Sequence, residues 1–441
     1  MKSRTAKILI SAALALIIFA AAFTAGYFTR KFTRNDAISS YEWFIDTIEK
    51  NYYFGGAENG YTDTGLSAIA DKYLDRYSQY YTAEEYAATM KSNSGSKSGL
   101  GISYSFVAGK GVYISTVTGN SPAYHAGLRA GEWLKSGSVS GQEIEFTSSA
   151  DFQKLVNSAG DGVQISLNSD DETYVVAKSE FTASYTSFKT NSTAWTFETA
   201  ADGGLYLKET PDEKISYLPD GAAYIRLDQF YGTAAAEFYK LAEKFNAYKC
   251  TSLILDLRSN GGGYVSVMQN IAGSFAGGER KLAMLSRDKH GNEEKFNCAR
   301  VTNAEYRIPA GTEIYLLANS GTASASEALA GAMVCYGALE YKNIFLSQYS
   351  EEYTDWLSAT GQELKTARTY GKGIMQSTFV NDLTGEALKL TTAKIFWPDE
   401  KTCIHDKGIT VADGATAVYA EWQHTKDDAE LKRVVEIIRT R

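Results

Sequence analysis

Three groups of residues in this chain could do chemistry together. The first is Ser324, in Asn319-Ser-Gly-Thr-Ala-Ser-Ala-Ser-Glu327. It follows a short apolar run, Ile314 to Ala318, and precedes good helix formers. A serine at a helix start faces N–H groups with no intrahelical partner, and the helix dipole favours negative charge developing there. That suits a nucleophile. The same residues also fit a capping box, in which Ser324 and Glu327 only close a helix end. The second group is Arg258-Ser-Asn-Gly-Gly-Gly263, directly after the apolar run Ser252 to Leu257. Contiguous glycines let backbone approach a ligand and aim N–H groups at it. The pattern is neither a phosphate loop nor a dinucleotide fingerprint, which leaves an oxyanion hole or a plain flexible turn. The third group is Lys372, in Thr369-Tyr-Gly-Lys-Gly-Ile-Met-Gln376. Burial in an apolar strand would lower its pKa, and a neutral lysine can take a proton from serine. An exposed strand lysine is the rival reading. The four histidines, His125, His290, His405 and His424, sit in no recognisable catalytic motif, which argues against a Ser-His-Asp triad.

The elements that must position these residues are legible from hydrophobic patterning. Residues 252–275 and 314–335 each read as strand, turn and helix, and two such units side by side predict a layered α/β core. A strand over Ala222 to Leu227, an amphipathic helix over Thr233 to Tyr248 (Phe238, Leu241, Phe245), a strand over Leu388 to Phe396 and a final helix over 429–440 complete it. Residues 343–368 are polar and read as an inserted loop. Upstream, Tyr41, Phe44, Ile45 and Ile48 mark one helical face, a second helix is expected around residues 65–77, and Thr82 with Glu85 should cap a third.

The 441 residues imply two or three domains. A formal net charge of -8 argues against nucleic acid as a partner. The four cysteines are widely spaced with no C-x-x-C, against a compact zinc site, and the chemistry above requires no metal or cofactor. Ile8 to Thr29 carries no charge and is long enough to span a bilayer. Lys2, Arg4 and Lys7 precede it, so the expectation is a single-pass anchor with the N-terminus in the cytoplasm and the rest outside. The rival is a cleaved signal peptide, with small-residue sites between Ala20 and Ala25, which would give a secreted protein.

Residues 95–184 resemble a PDZ domain of the bacterial protease-associated kind. The likeness rests on Gly99-Leu-Gly-Ile102 and on Ser121-Pro-Ala-Tyr-His-Ala-Gly-Leu-Arg-Ala-Gly131, with Glu132 where the pattern ends in aspartate. It implies that Gly99, Leu100, Gly101 and Ile102 hold a chain-terminal carboxylate while the peptide adds as a strand. A Gly-rich hairpin of another small β domain is the alternative. His125 reads as structural.

From Tyr41 to Asp413 the order of elements resembles the carboxy-terminal processing proteases, tail-specific serine peptidases with an inserted PDZ domain. Three signatures carry this: Ile254-Leu-Asp-Leu-Arg-Ser-Asn-Gly-Gly-Gly263, Gly321-Thr-Ala-Ser-Ala-Ser-Glu327, and Thr369-Tyr-Gly-Lys-Gly373 with Gln376. The resemblance implies an α/β core of the β-β-α superhelix, crotonase-like type, interrupted by a mostly-β PDZ domain and preceded by a transmembrane helix. The parts would be 1–35 (cytoplasmic stub and anchor), 36–94 (helical region), 95–184 (PDZ) and 185–441 (protease core). It implies a Ser-Lys dyad: Ser324 attacks the scissile carbonyl, Lys372 is the general base and Gln376 orients the lysine. Ser326 is the runner-up nucleophile. Oxyanion donors would be the N–H of Ala325 and of Gly262 or Gly263, with Gly262 preferred. Four residues apart on a straight strand is about 13 Å, so Gln376 reaches Lys372 only if the strand bends, and Gly373 is the place for it. Two departures from the family stand out: the Ser324-to-Lys372 spacing is long, and Cys335 stands where the family usually has an acidic residue. The implied partners are unfolded or C-terminally exposed protein substrates, the membrane through Ile8 to Thr29, and an activating adaptor or homo-oligomer. The alternative function is a catalytically silent PDZ scaffold that binds protein C-termini. A crotonase-type acyl-CoA enzyme is a weaker third reading.

Overall fold

A computed structural model describes residues 36–54, 65–200, 203–350, 367–421, 423–425 and 427–440. The apolar run Ile8 to Thr29 lies outside them. Among the described residues no helix is long and apolar enough to cross a membrane.

The chain divides into two compact units, residues 1–86 with 376–392, and residues 87–375 with 393–441. In the first, the helix Asp36–Asn51 places Phe44 and Ile48 on one face, as their spacing predicts, against Ile69 of the helix Leu66–Tyr73 and against Leu388 and Leu390. The strand Gln79–Tyr81 pairs antiparallel with residues 387–389. Thr82 N donates to Glu85 Oε2 at 2.9 Å, so the expected cap forms at the start of the helix Ala83–Asn93.

The second unit is built on an eight-stranded sheet. In spatial order its strands are Leu205–Glu209, Ala194–Thr199, Thr186–Lys189, Ala222–Leu227, Ser252–Asp256, Glu313–Ala318, Ile344–Gln348 and Thr416–Tyr419. The last five are parallel. Alternation along them explains both faces. Ile225, Leu253, Leu255 and Leu316 point to one side, where the helices Ala234–Ala247, Val265–Gly273 and Ala325–Cys335 pack. Tyr224, Ile254, Tyr315 and Leu317 point to the other, under the helix Ala429–Thr440 with Leu431, Val434 and Val435.

Residues 96–182 form a mostly-β module inside this unit. Its entry strand Ser96–Gly99 pairs with its exit strand Ser179–Thr182 in a two-stranded ribbon. Its own core holds Val112, Ile114, Leu134, Phe152, Leu155, Ile165 and Leu167, with the helix Ser149–Ser158 across it. His125 Nε2 lies 2.9 Å from Asn120 Oδ1, in keeping with a structural role.

Two expectations need correction. Residues 344–348 are not part of an inserted loop. Ile344, Phe345 and Leu346 are fully buried beside the strand Glu313–Ala318, and the flanking polar residues masked that short apolar run. Lys372 is not inside a strand either: it lies in the coil just before the strand Ile374–Val380.

Candidate active site

The strands Ser252–Asp256 and Glu313–Ala318 are parallel neighbours, with Ser252 opposite Glu313 and Asp256 opposite Leu317. Their carboxyl ends therefore lie side by side, and so do the turns that follow. In an open α/β sheet that edge is where ligands bind. The two turns are bonded to each other. Ala323 N donates to Asn260 O at 3.0 Å, Thr322 Oγ1 to Leu257 O at 2.8 Å and Ser259 N to Asn319 Oδ1 at 2.8 Å.

Ser324 is the half-buried residue just before the helix Ala325–Cys335. Its φ is 57° and its ψ -114°, a conformation that non-glycine residues rarely adopt and that costs strain. A relaxed cap needs no such strain. The capping box expected from the sequence is present as well, with the Ser324 side chain facing the Glu327 backbone and the Glu327 side chain accepting from Ser324 N, so the cap and the strained turn coexist at this residue. Ser326, the runner-up, is fully buried, and its hydroxyl donates to Asn260 O at 2.9 Å.

The glycine turn reaches Ser324 directly. A Cβ on Gly262 would lie 2.9 Å from each of Ser324 Cβ, Ala325 N and Ala323 O. The absent side chain keeps open the space in front of the Ala325 N–H, a first-turn amide without an intrahelical acceptor. The Gly262 N–H itself donates to Asn260 Oδ1 at 2.9 Å. Phe230 bonds to Gly262 O and to Tyr264 N, as in a parallel ladder. The Gly263 N–H between them therefore points away from Phe230.

Glu327 joins the third group to the first. Its side chain is fully buried. Oε2 accepts from Ser324 N at 2.9 Å and from Lys372 N at 2.9 Å. The two backbone nitrogens are thus at most about 5.8 Å apart. Oε1 accepts from Gly371 N at 2.8 Å and from Thr369 Oγ1 at 2.5 Å. Burial pushes this carboxyl up from its ordinary pKa, and the four donors oppose that push. Sequence reading assigned Glu327 only to a helix cap, which is one of its four bonds. The glycines flanking Lys372 are set by close backbone. A Cβ on Gly373 would meet His405 N at 2.5 Å, and one on Gly371 would meet Gly408 N at 2.9 Å. Lys372 is half-buried. Gln376 belongs to the first unit, where its Nε2 donates to Thr391 Oγ1 at 3.1 Å.

In the module, Leu100 is buried between Gly99 and Gly101, whose φ values are 118° and 78°. Ile102 begins the strand Ile102–Val107. Among the described strands, this one has a neighbour on one side only, Gly111–Val117, and its other edge is open.

Residues 221–338, which carry both turns and Ser324, match the model of peptidase family S41. The match identifies a peptidase S41 segment of 118 residues within the 441-residue chain. The chain is 26% identical over 346 residues to a chloroplastic C-terminal processing peptidase of Tetradesmus obliquus, covering 76% of this chain and 63% of the relative. It is 22% identical over 381 residues to a probable CtpA-like serine protease of Staphylococcus saprophyticus, covering 86% and 65%. The chain thus spans less than two thirds of the length of these relatives. Among solved structures, a putative S41 protease from Bacteroides fragilis shares the fold, with a TM-score of 0.58 at 14% identity, over 90% of this chain and 97% of that one. Lys372 and Gln376 lie beyond the segment that the family model matches.

Proposed function

We propose that the protein is a serine endopeptidase working through a Ser324–Lys372 dyad. The observation that carries this reading is the Glu327 carboxylate, which accepts from the backbones of both residues through one oxygen. With the backbones this close, the four-carbon stem of lysine can bring its amine to the serine hydroxyl. Ser324 Oγ attacks the scissile carbonyl carbon and its proton passes to Lys372 Nζ. The C–N bond breaks, the proton goes to the leaving amine, and water then hydrolyses the acyl-enzyme. The tetrahedral oxyanion takes hydrogen bonds from Ala325 N–H and from the glycine turn. Gly262 N–H is engaged by Asn260, which favours Gly263 as the second donor and leaves Gly262 to provide space.

We further propose that residues 95–184 act as a PDZ domain. The open edge of Ile102–Val107 takes a peptide strand, and the N–H groups of Gly99, Leu100, Gly101 and Ile102 donate to its terminal carboxylate. The substrate is then a protein with an accessible, apolar C-terminus. The uncharged run Ile8 to Thr29 supports a membrane anchor with the peptidase outside the cytoplasm. The silent-scaffold reading leaned partly on Cys335. That residue is exposed at the far end of the helix Ala325–Cys335, about 16 Å along the axis from Ser324 at 1.5 Å per residue, too far to disable the dyad.

The test is cleavage of an unfolded protein with an apolar C-terminus by the full chain, beside Ser324→Ala and Lys372→Ala, with fragments read by mass spectrometry. Cutting by wild type alone is the expected result. Equal cutting by wild type and Ser324→Ala would sink the dyad.

A further inference from the structure

The two catalytic turns are held from a third direction. Asn319, which opens the Ser324 turn, accepts on Oδ1 from Ser259 N at 2.8 Å and Gly321 N at 2.9 Å, and donates through Nδ2 to Gln423 Oε1 at 2.9 Å. Gln423 in turn donates to Ser347 Oγ at 2.6 Å and to Glu430. Arg258, which opens the glycine turn, is fully buried and donates to Asp256, to Asp428 at 2.7 and 3.1 Å, and to Glu430 at 2.9 Å. Asp428 meanwhile accepts from Leu431 N at 2.9 Å, capping the helix Ala429–Thr440. Gln423, Asp428 and Glu430 all lie outside the family-matched residues 221–338.

A stability role alone accounts poorly for this cluster. Three acids surround one arginine with no exposure, and buried ionic groups of this kind are often no more stabilising than apolar packing. What the cluster does supply is registration. One branch runs from Gln423 through Asn319 to Ser259, touching both turns. The other grips Arg258 at the base of the glycine turn. A misplacement of about 1 Å between attacking group and oxyanion donors is enough to cost about a hundredfold in rate.

We propose that Gln423, Asp428 and Glu430 are positioning residues: through Asn319 and Arg258 they hold the oxyanion turn in register with the Ser324 turn, so that docking of the C-terminal helix sets the rate of acyl transfer. The inference rests on the Ser-Lys peptidase reading.

The full chain is assayed for peptide hydrolysis, giving kcat and KM separately, and for acylation of Ser324 by a fluorophosphonate probe. The variants are Gln423→Met, which removes the amide's bonds with Asn319, Tyr349, Ser347 and Glu430 at similar volume, and Asn319→Asp, which keeps the Oδ1 acceptor and loses the donor to Gln423 and to Ser259 Oγ. Lys432→Met, on the same helix with an exposed side chain, is the control. The expected result is a fall of at least tenfold in kcat and in acylation rate for both variants, KM within twofold, cooperative melting retained, and an unchanged control. Should Gln423→Met not fold, Gln423→Glu, which keeps the Oε1 acceptor for Asn319 Nδ2 and loses the donor to Ser347 and Glu430, takes its place beside Asn319→Asp. A reactive wild type with fully active, folded variants overturns the positioning role and leaves the peptidase reading standing. A folded wild type with no reaction at Ser324 overturns both.

Discussion

Glu327→Gln is the sharpest perturbation of the site, because it changes one atom of the residue that joins Ser324 to Lys372. The carboxylate accepts four hydrogen bonds, two on each oxygen, from Ser324 N, Lys372 N, Gly371 N and Thr369 Oγ1. A glutamine keeps one acceptor oxygen and turns the other into an NH2 group. Facing Oε2's partners, that NH2 would oppose two backbone N–H groups. Facing Oε1's partners, it opposes only the Gly371 N–H, because the Thr369 hydroxyl can rotate and accept. The amide therefore settles toward Gly371, leaving at least one buried donor unsatisfied, which costs about 1–3 kcal/mol. The strain falls on the residue next to Lys372. Unfolding free energy should drop by about that amount, and the acylation rate of Ser324 should fall at least tenfold. Glu327→Ala removes all four acceptor bonds and should be worse on both counts. Guanidinium melts and probe labelling on the same preparations measure the two effects. A Glu327→Gln protein with wild-type stability and wild-type labelling would show that the carboxylate is only a helix cap and that its links to the Lys372 segment do not matter.

Three further outcomes follow from the geometry. Gly262→Ala puts a methyl group 2.9 Å from Ala325 N at a φ of +98°, so Ser324 labelling should fall at least a hundredfold, about the effect of losing one oxyanion donor; labelling near the wild-type rate would refute the oxyanion assignment. Ser326→Ala loses the bond to Asn260 O, and the melt should register about 1 kcal/mol while the probe still reacts at Ser324; lost labelling with an intact fold would reopen Ser326 as the nucleophile. Burial pushes Glu430 up to about 7, against the pull of Arg258. A carboxyl whose folded pKa is raised binds its proton more tightly when folded, so stability falls as pH rises from the ordinary glutamate value of 4.5 to about 7. Across that window the loss is on the order of 3 kcal/mol, and Glu430→Gln should lack it; parallel stability curves for the two proteins between pH 4.5 and 8 would contradict the assignment.

Much of the core was legible because its signals are local. Ala222 to Leu227 and Ser252 to Leu257 are short apolar runs, and runs that short and that apolar are buried strands. The repetition of strand, turn and helix placed Gly261 to Gly263 and Ser324 at equivalent points of two adjacent units, which is why the structure sets their turns together. What stayed hidden is what depends on distant partners. Glu327 showed only its bond to Ser324, three residues away, and not those to Thr369, Gly371 and Lys372. Arg258 pairs with acids 170 and 172 positions further on, and no local pattern announces that. Asn260 and Asn319 were signalled only as turn residues, although their side chains hold Gly262 N–H and Ser259 N–H. Ile344 to Leu346 was lost because three apolar residues between polar flanks read as loop until a neighbouring strand is known.

The ribbon at the base of the module of residues 96–182 has a consequence of its own. Ser179 lies opposite Gly99 and Thr182 opposite Ser96, and Ala183 N donates to Gly95 O at 2.8 Å. The chain leaves the module beside the point where it entered. To the core the module is therefore a closed loop with fixed ends, and the entropy of closing such a loop changes only slowly with its length. Away from its ends the module also bonds to the sheet that carries Ser324: Asn120 Nδ2 donates to Thr199 Oγ1 at 2.6 Å, and Thr199 N donates to Asn120 Oδ1 at 3.3 Å. A replacement domain would therefore need termini a strand's width apart and a substitute for the Asn120 bonds to the strand Ala194–Thr199.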